Sequence, residues 1–137
     1  MTTVIMRTIF FAHDQQESPE PRKHFLELAG YVVRLFSTFG ALESGLVIGP
    51  SPDLLLIDSL LEGKNGFETA REISQRHPER TFPLVLCSQI YRLRPFREEA
   101  LSCGAQDYLL LPMPPDEFLR RVNQAIGYFV PPKSATG

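Results

Sequence analysis

Residues 52–68 constrain the fold of this chain more than any other stretch. An uninterrupted apolar run, residues 54–57, lies between turn-forming residues and ends abruptly at Asp58. A short apolar run of this kind is typical of a strand that is buried on both faces of a parallel sheet. A carboxylate directly after such a strand lies at the carboxyl edge of the sheet, where open α/β sheets place their functional groups. We therefore expect Asp58 to have a functional role.

The residues after Asp58 predict a loop followed by a helix. Residues 62–66 are polar and contain two glycines. Asn65 followed by Glu68 has the form of a capping box, and apolar residues recur at helical spacing as far as residue 74. Residues 52–77 are thus expected to form a strand, an acid at its end, a loop and a helix.

The same alternation of strand and helix runs through the whole chain. The predicted strands cover residues 4–12, 31–36, 54–57, 83–87 and 108–111. The predicted helices lie near residues 18–29, 41–46, 65–77, 95–104 and 118–129. The imperfect alternation of the second strand favours a position at or near a sheet edge. Strands that alternate with helices predict an α/β fold, a five-stranded parallel sheet with helices on both faces.

Length and composition limit the classes of protein to which the chain can belong. The 137 residues, 43% of them hydrophobic, predict one domain over residues 1–130, followed by a tail or linker at 131–137. A net charge of −2 gives no reason to expect nucleic-acid binding, and no apolar stretch approaches the length of a membrane span. No signal peptide is expected, and Cys87 and Cys103 are expected to be reduced, which favours a cytoplasmic protein.

Polar or otherwise distinctive residues stand at the ends of four predicted strands. Asp14 follows the first strand, Asp58 ends the third, Ser88 follows the fourth, and Leu111 precedes Pro112 after the fifth. Because parallel strands end at the same edge, we expect these residues to converge. Carboxylates brought together in this way repel each other unless a cation lies between them. A divalent cation with oxygen ligands, most often Mg²⁺, is the usual solution.

Over residues 7–129 the chain resembles the receiver domain of bacterial two-component response regulators. The stretches that carry the resemblance are the acid after the first strand, residues 52–58 with Gly66, Ser88, residues 104–109 and the step Leu111–Pro112. Each stretch is weak alone, but their order and spacing are specific. The resemblance implies a flavodoxin-like (βα)5 receiver fold.

The resemblance also implies a role for each site residue. Asp58 matches the aspartate that accepts a phosphoryl group from a histidine kinase or phosphotransfer protein. Asp14, Asp58 and the backbone carbonyl of Leu60 match the Mg²⁺ ligands. Ser88 matches the hydroxyl that turns toward the phosphoryl group, and Tyr108 matches the aromatic residue whose ring moves inward on activation.

Two positions depart from the receiver pattern. His13 stands where the family has the first acid of its acidic pair, and Leu111 stands where it has a lysine that pairs with the phosphorylated aspartate. A charge-assisted hydrogen bond of that kind is worth roughly 1.5–3 kcal/mol. The match is therefore to a degenerate receiver, in which Asp58 could still be phosphorylated but switching is expected to be weakened.

Each site residue also has an ordinary structural interpretation. Asp14 and Asp58 could cap loops, Ser88 could be a simple loop hydroxyl, and Tyr108 could only pack. His13 is expected to form a local hydrogen bond rather than to bind metal.

Three hypotheses about function remain. The first is a phosphoacceptor receiver that signals to a downstream protein or to its own output domain. The second is a phosphorylation-independent receiver-like module that binds a partner or dimerises through its fourth helix, fifth strand and fifth helix, residues 96–129. The third, an independent enzyme, is disfavoured because the chain has no glycine-rich phosphate loop and no nucleophile elbow.

Overall fold

The computed structural model describes residues 6–131. The elements are, in order, β1 (Thr8–Ala12), α1 (Glu20–Leu28), β2 (Val32–Phe36), α2 (Phe39–Ile48), β3 (Leu54–Asp58), β4 (Leu60–Leu61), β5 (Lys64–Asn65), α3 (Gly66–Arg76), β6 (Leu84–Ser88), α4 (Arg94–Ser102), β7 (Asp107–Leu110) and α5 (Pro115–Gly127). The predicted tail lies outside the described residues from 132 onward, as do residues 4 and 5 of the first predicted strand.

The main sheet has five parallel strands in the order β2-β1-β3-β6-β7. This confirms the predicted α/β class, the parallel pairing and the edge position of β2. Two of the three inner strands, β3 and β6, are buried along their whole length, as expected of uninterrupted apolar runs with helices on both faces. None of the helices between residues 6 and 131 has the length and hydropathy of a membrane span.

Two hydrophobic cores lie on opposite faces of the sheet. Because successive strand residues point to opposite faces, Leu55 and Ile57 enter the core with α2, α3 and α4, whereas Leu54 and Leu56 enter the core with α1 and α5. All four of these side chains are fully buried. The sheet edge that carries Asp58 is therefore held from both sides by packed apolar layers.

The segment between β3 and α3 differs from the predicted loop. Strands β4 and β5 form a short antiparallel hairpin in which Leu60 pairs with Asn65. Gly63 makes the tight turn at a φ of +79°, a conformation that favours glycine. The Asn65 side chain then accepts a hydrogen bond from the N–H of Glu68 at 2.8 Å, so the predicted N-terminal cap of α3 is present. The hairpin was not predicted because each of its strands has only two residues.

Candidate functional site

The predicted site residues meet at the carboxyl edge of the sheet. Asp58 is the last residue of β3 and is paired in register with Cys87 of β6, whose next residue, Ser88, ends that strand. Asp14 lies two residues beyond the end of β1, and its backbone N–H donates to Oδ2 of Asp58 at 2.9 Å. The parallel topology thus brings Asp14, Asp58 and Ser88 to one edge, as the sequence predicts.

Both carboxylate oxygens of Asp58 are bound by an arginine of α1. Nη1 of Arg22 lies 2.5 Å from Oδ1, and Nη2 lies 3.1 Å from Oδ2. The side chains of Arg22 and Asp58 are only 12% and 8% exposed. A bidentate pair with so little exposure is among the stronger polar contacts that proteins form. Among the described residues, Arg22 is the cationic side chain that forms an ion pair with Asp58.

The surroundings of Arg22 favour this single orientation. The guanidinium carbon lies 4.5 Å from the centre of the Phe11 ring, which is fully buried on β1. Burial alone would lower the pKa of Arg22, but the hydrogen bonds and the charge of Asp58 outweigh burial and raise that pKa. Glu17 lies 3.9 Å from the guanidinium. Burial, followed by the charge of Asp58, raises the pKa of Glu17.

Asp14 and His13 are engaged in local contacts. Oδ1 of Asp14 accepts a hydrogen bond from the N–H of Gln16 at 2.9 Å, which caps the loop after β1. The His13 ring stands edge-on to Phe11, and its Nδ1 lies 3.2 Å from the carbonyl oxygen of Asp14. The expected local hydrogen bond of His13 is therefore present.

These contacts bear on whether a Mg²⁺ ion, which receiver domains typically bind, fits the residues present. Three oxygens, from Asp14, Asp58 and the carbonyl of Leu60, would have to face a common point. Arg22 instead binds both oxygens of Asp58, and Gln16 binds one of Asp14. Within residues 6–131, no group of three or more His, Cys, Asp and Glu side chains could hold a metal. As arranged, the residues do not fit the ion, and the metal site remains a prediction.

The space beside Asp58 is small. A cavity of about 30 Å³ is lined by Asp14, Asp58, Leu60, Ser88 and Leu111, among others. That volume holds about two water molecules. Cys87, which also lines the cavity, is fully buried, and burial raises the pKa of its thiol to about 12.

Ser88 binds the loop that follows β6. Its Oγ accepts hydrogen bonds from the N–H groups of Ile90 and Tyr91 at 3.2 and 3.0 Å, and from Oγ of Ser59 at 2.9 Å. Among the described residues, the hydrogen bonds to the Asp58 carboxylate come from Arg22 and Asp14, not from Ser88. Ser88 thus fixes the start of the β6–α4 loop.

Tyr108 is turned into the protein. It is 3% exposed, its ring centre lies 5.8 Å from that of Phe67, and its hydroxyl donates to the carbonyl of Tyr91 at 2.7 Å. Burial raises the pKa of the Tyr108 phenol, so this group remains a neutral donor. Ser88 and Tyr108 therefore hold the same loop residue, Tyr91, from two sides.

Leu111 brings no charge to the site. Its side chain is buried against the core that α1 and α5 cover, and its carbonyl accepts a hydrogen bond from Arg92 at 2.5 Å. The peptide bond from Leu111 to Pro112 is cis. Leu111 thus makes an apolar contact at the position where the resemblance predicts the loss of a lysine.

Comparison with known proteins agrees with this geometry. A family model for the response regulator receiver domain matches residues 9–123. The chain belongs to the response regulator receiver family. Receiver domains serve two-component signalling and are generally signalling domains rather than enzymes. The family model thus confirms the predicted family, and the sheet order confirms the receiver fold.

Individual relatives cover almost the whole chain. The phosphate regulon transcriptional regulatory protein PhoB of Pseudomonas aeruginosa is 26% identical over 90% of this chain and 53% of its own length. The transcriptional regulatory protein GltR of the same organism is 31% identical over 85% of this chain and 48% of its own length. A solved putative response regulator from Chloroflexus aurantiacus superposes with a TM-score of 0.81 at 24% identity, over 90% of this chain and 99% of that one. The chain spans about half the length of these two curated relatives.

Arg22 is a residue of this site that the sequence pattern does not indicate. The missing cation at Leu111 was the available signal, because Asp58 then needs another positive partner. Arg22 and Lys23 are the basic residues at the start of α1, close to the loop after β1. Only the fold distinguishes them, since Lys23 pairs instead with Glu27 on the helix surface at 3.1 Å.

Proposed function

We propose that this receiver domain acts through protein–protein contacts without requiring phosphorylation of Asp58. The observation that carries the proposal is the state of the two switch residues. Ser88 binds the β6–α4 loop, and Tyr108 is buried with its hydroxyl on the carbonyl of Tyr91, and neither set of contacts involves Asp58. In the receiver pattern these are the residues that rearrange when the aspartate is phosphorylated.

The residues that depart from the family pattern support the same proposal. Without the lysine that Leu111 replaces, a phosphoryl group on Asp58 would lack a stabilising charge-assisted hydrogen bond, worth roughly 1.5–3 kcal/mol. The bonds that hold the loop are formed by backbone groups and buried hydroxyls. They do not depend on the charge of Asp58, so the surface beyond the loop is set by packing.

A second candidate function follows from the position of Asp58. An aspartate at the end of β3, beside Asp14 and in a receiver fold, is the group that a histidine kinase or a phosphotransfer protein would phosphorylate in this family. Here the transfer would first require Arg22 to release the carboxylate. We therefore expect phosphorylation to be inefficient and weakly coupled to the loop.

The partner surface that we propose is the face formed by α4, β7 and α5. The β6–α4 loop leads directly into this face, and Leu93, which is 71% exposed, stands at its start. Arg94 and Glu98 present opposite charges beside it on exposed side chains. Such a face is able to bind a second copy across a two-fold axis, because Arg94 of each copy can pair with Glu98 of the other. An output domain or a different downstream protein is the alternative partner.

The two free cysteines support a proposal about the cellular compartment of the protein. Cys87 and Cys103 are both buried and free, and they share no disulfide. Free thiols of this kind are typical of a reducing environment, and we propose the cytoplasm.

The experiment that tests the proposed function records amide NMR spectra of the wild-type chain with Mg²⁺, before and after addition of beryllofluoride. We expect the signals of Ser88, Tyr91 and Tyr108 to stay unchanged, because their contacts are already made. Asp58→Asn provides the matched control, since it removes the carboxylate to which the reagent would bind. Shifts that reach α4 and β7 in the wild type, and are lost in Asp58→Asn, would establish phosphorylation-dependent switching instead.

A further inference from the structure

We propose that Arg22 is the resident cation of this receiver site and takes the place of a divalent metal ion. The inference deepens the proposed function and rests on it for the statement that the site works without phosphorylation. It names the group that keeps Asp58 neutralised.

Arg22 reaches the carboxylate of Asp58 from α1. Asp58 ends a buried strand, and its carboxylate is only 8% exposed, so water alone does not balance its charge. Arg22 approaches from the first turn of α1 and contacts both carboxylate oxygens, at 2.5 and 3.1 Å. A planar guanidinium matches the two oxygens of a carboxylate, which a lysine ammonium does not. The pair leaves each oxygen of Asp58 bonded to a donor.

The guanidinium of Arg22 is held firmly in the site. Its carbon lies 4.5 Å from the centre of the buried Phe11 ring, and the side chain is only 12% exposed. If the guanidinium left the site, the face of the Phe11 ring would be exposed and the buried carboxylate of Asp58 would lose its partner. Lys23, one residue later on α1, is more exposed and pairs with Glu27. The helix thus directs one of its two neighbouring cations inward and the other outward.

The other residues of the predicted Mg²⁺ site are engaged elsewhere or carry no acid. Asp14 donates its N–H to Asp58 and uses Oδ1 to accept from Gln16, so its contacts serve the loop. His13 stands where the receiver pattern has an acid, directly before Asp14. Leu111 stands where that pattern has a lysine, which would compete with Arg22 for Asp58. Among the described residues, Arg22 is the cation that pairs with Asp58, and it also lies 3.9 Å from Glu17. These changes fit an internal cation better than a metal ion.

The test measures unfolding by urea, with and without Mg²⁺, in four chains. These are the wild type, Arg22→Met, the double variant Arg22→Met/Asp58→Asn, and Lys23→Met as the matched control. Methionine retains the apolar stem over Phe11 while the charge is removed. We expect the wild type and Lys23→Met to be indifferent to Mg²⁺.

The Arg22→Met variant is expected to behave differently in both conditions. Without Mg²⁺, its unfolding equilibrium constant should rise roughly 150- to 5,000-fold, because a buried carboxylate loses its partner. Addition of Mg²⁺ should restore part of that loss, about tenfold when the ion is at ten times its dissociation constant. The double variant should be more stable than Arg22→Met and should no longer respond to Mg²⁺.

Two results would overturn the inference. One is a wild type that Mg²⁺ stabilises as strongly as it stabilises Arg22→Met, since Arg22 would then not occupy the place of the ion. The other is an Arg22→Met chain that is as stable as the wild type and is not stabilised by Mg²⁺. If Arg22→Met does not fold, the double variant decides: a folded double variant supports the role in charge balance, and an unfolded one reduces Arg22 to a packing residue. These readouts are separate from the beryllofluoride spectra, so either proposal can fail alone.

Discussion

Gly66 offers the most direct test of how tightly the backbone is packed beneath Asp58. It is the first residue of α3, and its N–H donates to the carbonyl of Ser59 at 2.8 Å. A Cβ atom at Gly66 would lie 2.2 Å from the carbonyl oxygen of Asp58 and 2.8 Å from Cα of Ser59. Non-bonded heavy atoms settle near 3.5–4.0 Å, so the two segments would have to separate by roughly 1 Å. We therefore expect Gly66→Ala to displace the site residue itself.

The expected destabilisation follows from what the methyl group meets. Inserting a methyl group into a packed interior typically costs about 1–3 kcal/mol. Gly66→Ala should fall near the upper end, about 3 kcal/mol, because the opposing atoms belong to backbone and cannot turn aside. For a chain of this size that loss lowers the melting temperature by roughly 6–12 °C. Gly40→Ala is the matched control, since its added Cβ meets nothing within 4 Å inside α2.

The assay is urea unfolding followed by circular dichroism, since the chain has no tryptophan to report by fluorescence. Gly40→Ala should be as stable as the wild type or slightly more stable, because Gly40 lies in the first turn of α2 and alanine favours a helix over glycine. Gly66→Ala should be less stable, and its amide spectrum should change at Asp58 and Ser59. If Gly66→Ala unfolded at the same urea concentration as the wild type, the close approach of the two backbones would be wrong.

Two further predictions concern the α4–β7–α5 face. Leu93→Asp should abolish concentration-dependent self-association in sedimentation experiments, whereas Leu28→Asp, equally exposed on α1, should leave it unchanged; a wild type that stays monomeric at every concentration rules out a second copy as the partner. The other prediction concerns acid stability. Burial alone would raise the pKa of Asp107, but hydrogen bonds from Arg121, the Tyr108 N–H and Arg97 outweigh it and lower that pKa. A lowered folded pKa adds stability above the unfolded value of about 3.9, and that stability is lost as the pH falls through the folded pKa. Unfolding measured between about pH 6 and pH 2 should therefore lose less stability in Asp107→Asn, and an identical acid profile for both chains would contradict the argument.

The parts of the fold that the sequence predicted are those governed by local pattern. The buried runs at residues 54–57 and 83–87 are uninterrupted because both faces of these strands are covered by helices. Parallel pairing then follows from the alternation with helices, and it brings the strand ends together without any knowledge of side-chain contacts. This is why the proximity of Asp14 to Asp58 was predictable from strand ends alone.

The identity of the cation at the site was not predictable in the same way. Arg22 and Lys23 are adjacent, both basic and both in the first turn of α1. Which of them faces the sheet depends on the rotation of α1 about its axis, and that rotation is fixed by packing of Leu26 in the core with Phe11. Local pattern predicts a helix at this position, but it does not predict this rotation to within one residue.

We propose that the two predicted departures from the receiver pattern and Arg22 form one electrostatic arrangement. Loss of the lysine at Leu111 alone would leave buried Asp58 without a partner, and breaking a buried pair in this way costs about 3–5 kcal/mol. Arg22 supplies the charge from a helix instead of a strand end. A change in the charge of Asp58 would therefore act first on α1, which packs against α5, rather than on the β6–α4 loop. Any regulation that this receiver domain retains at Asp58 should thus be sought on the face of α1 and α5.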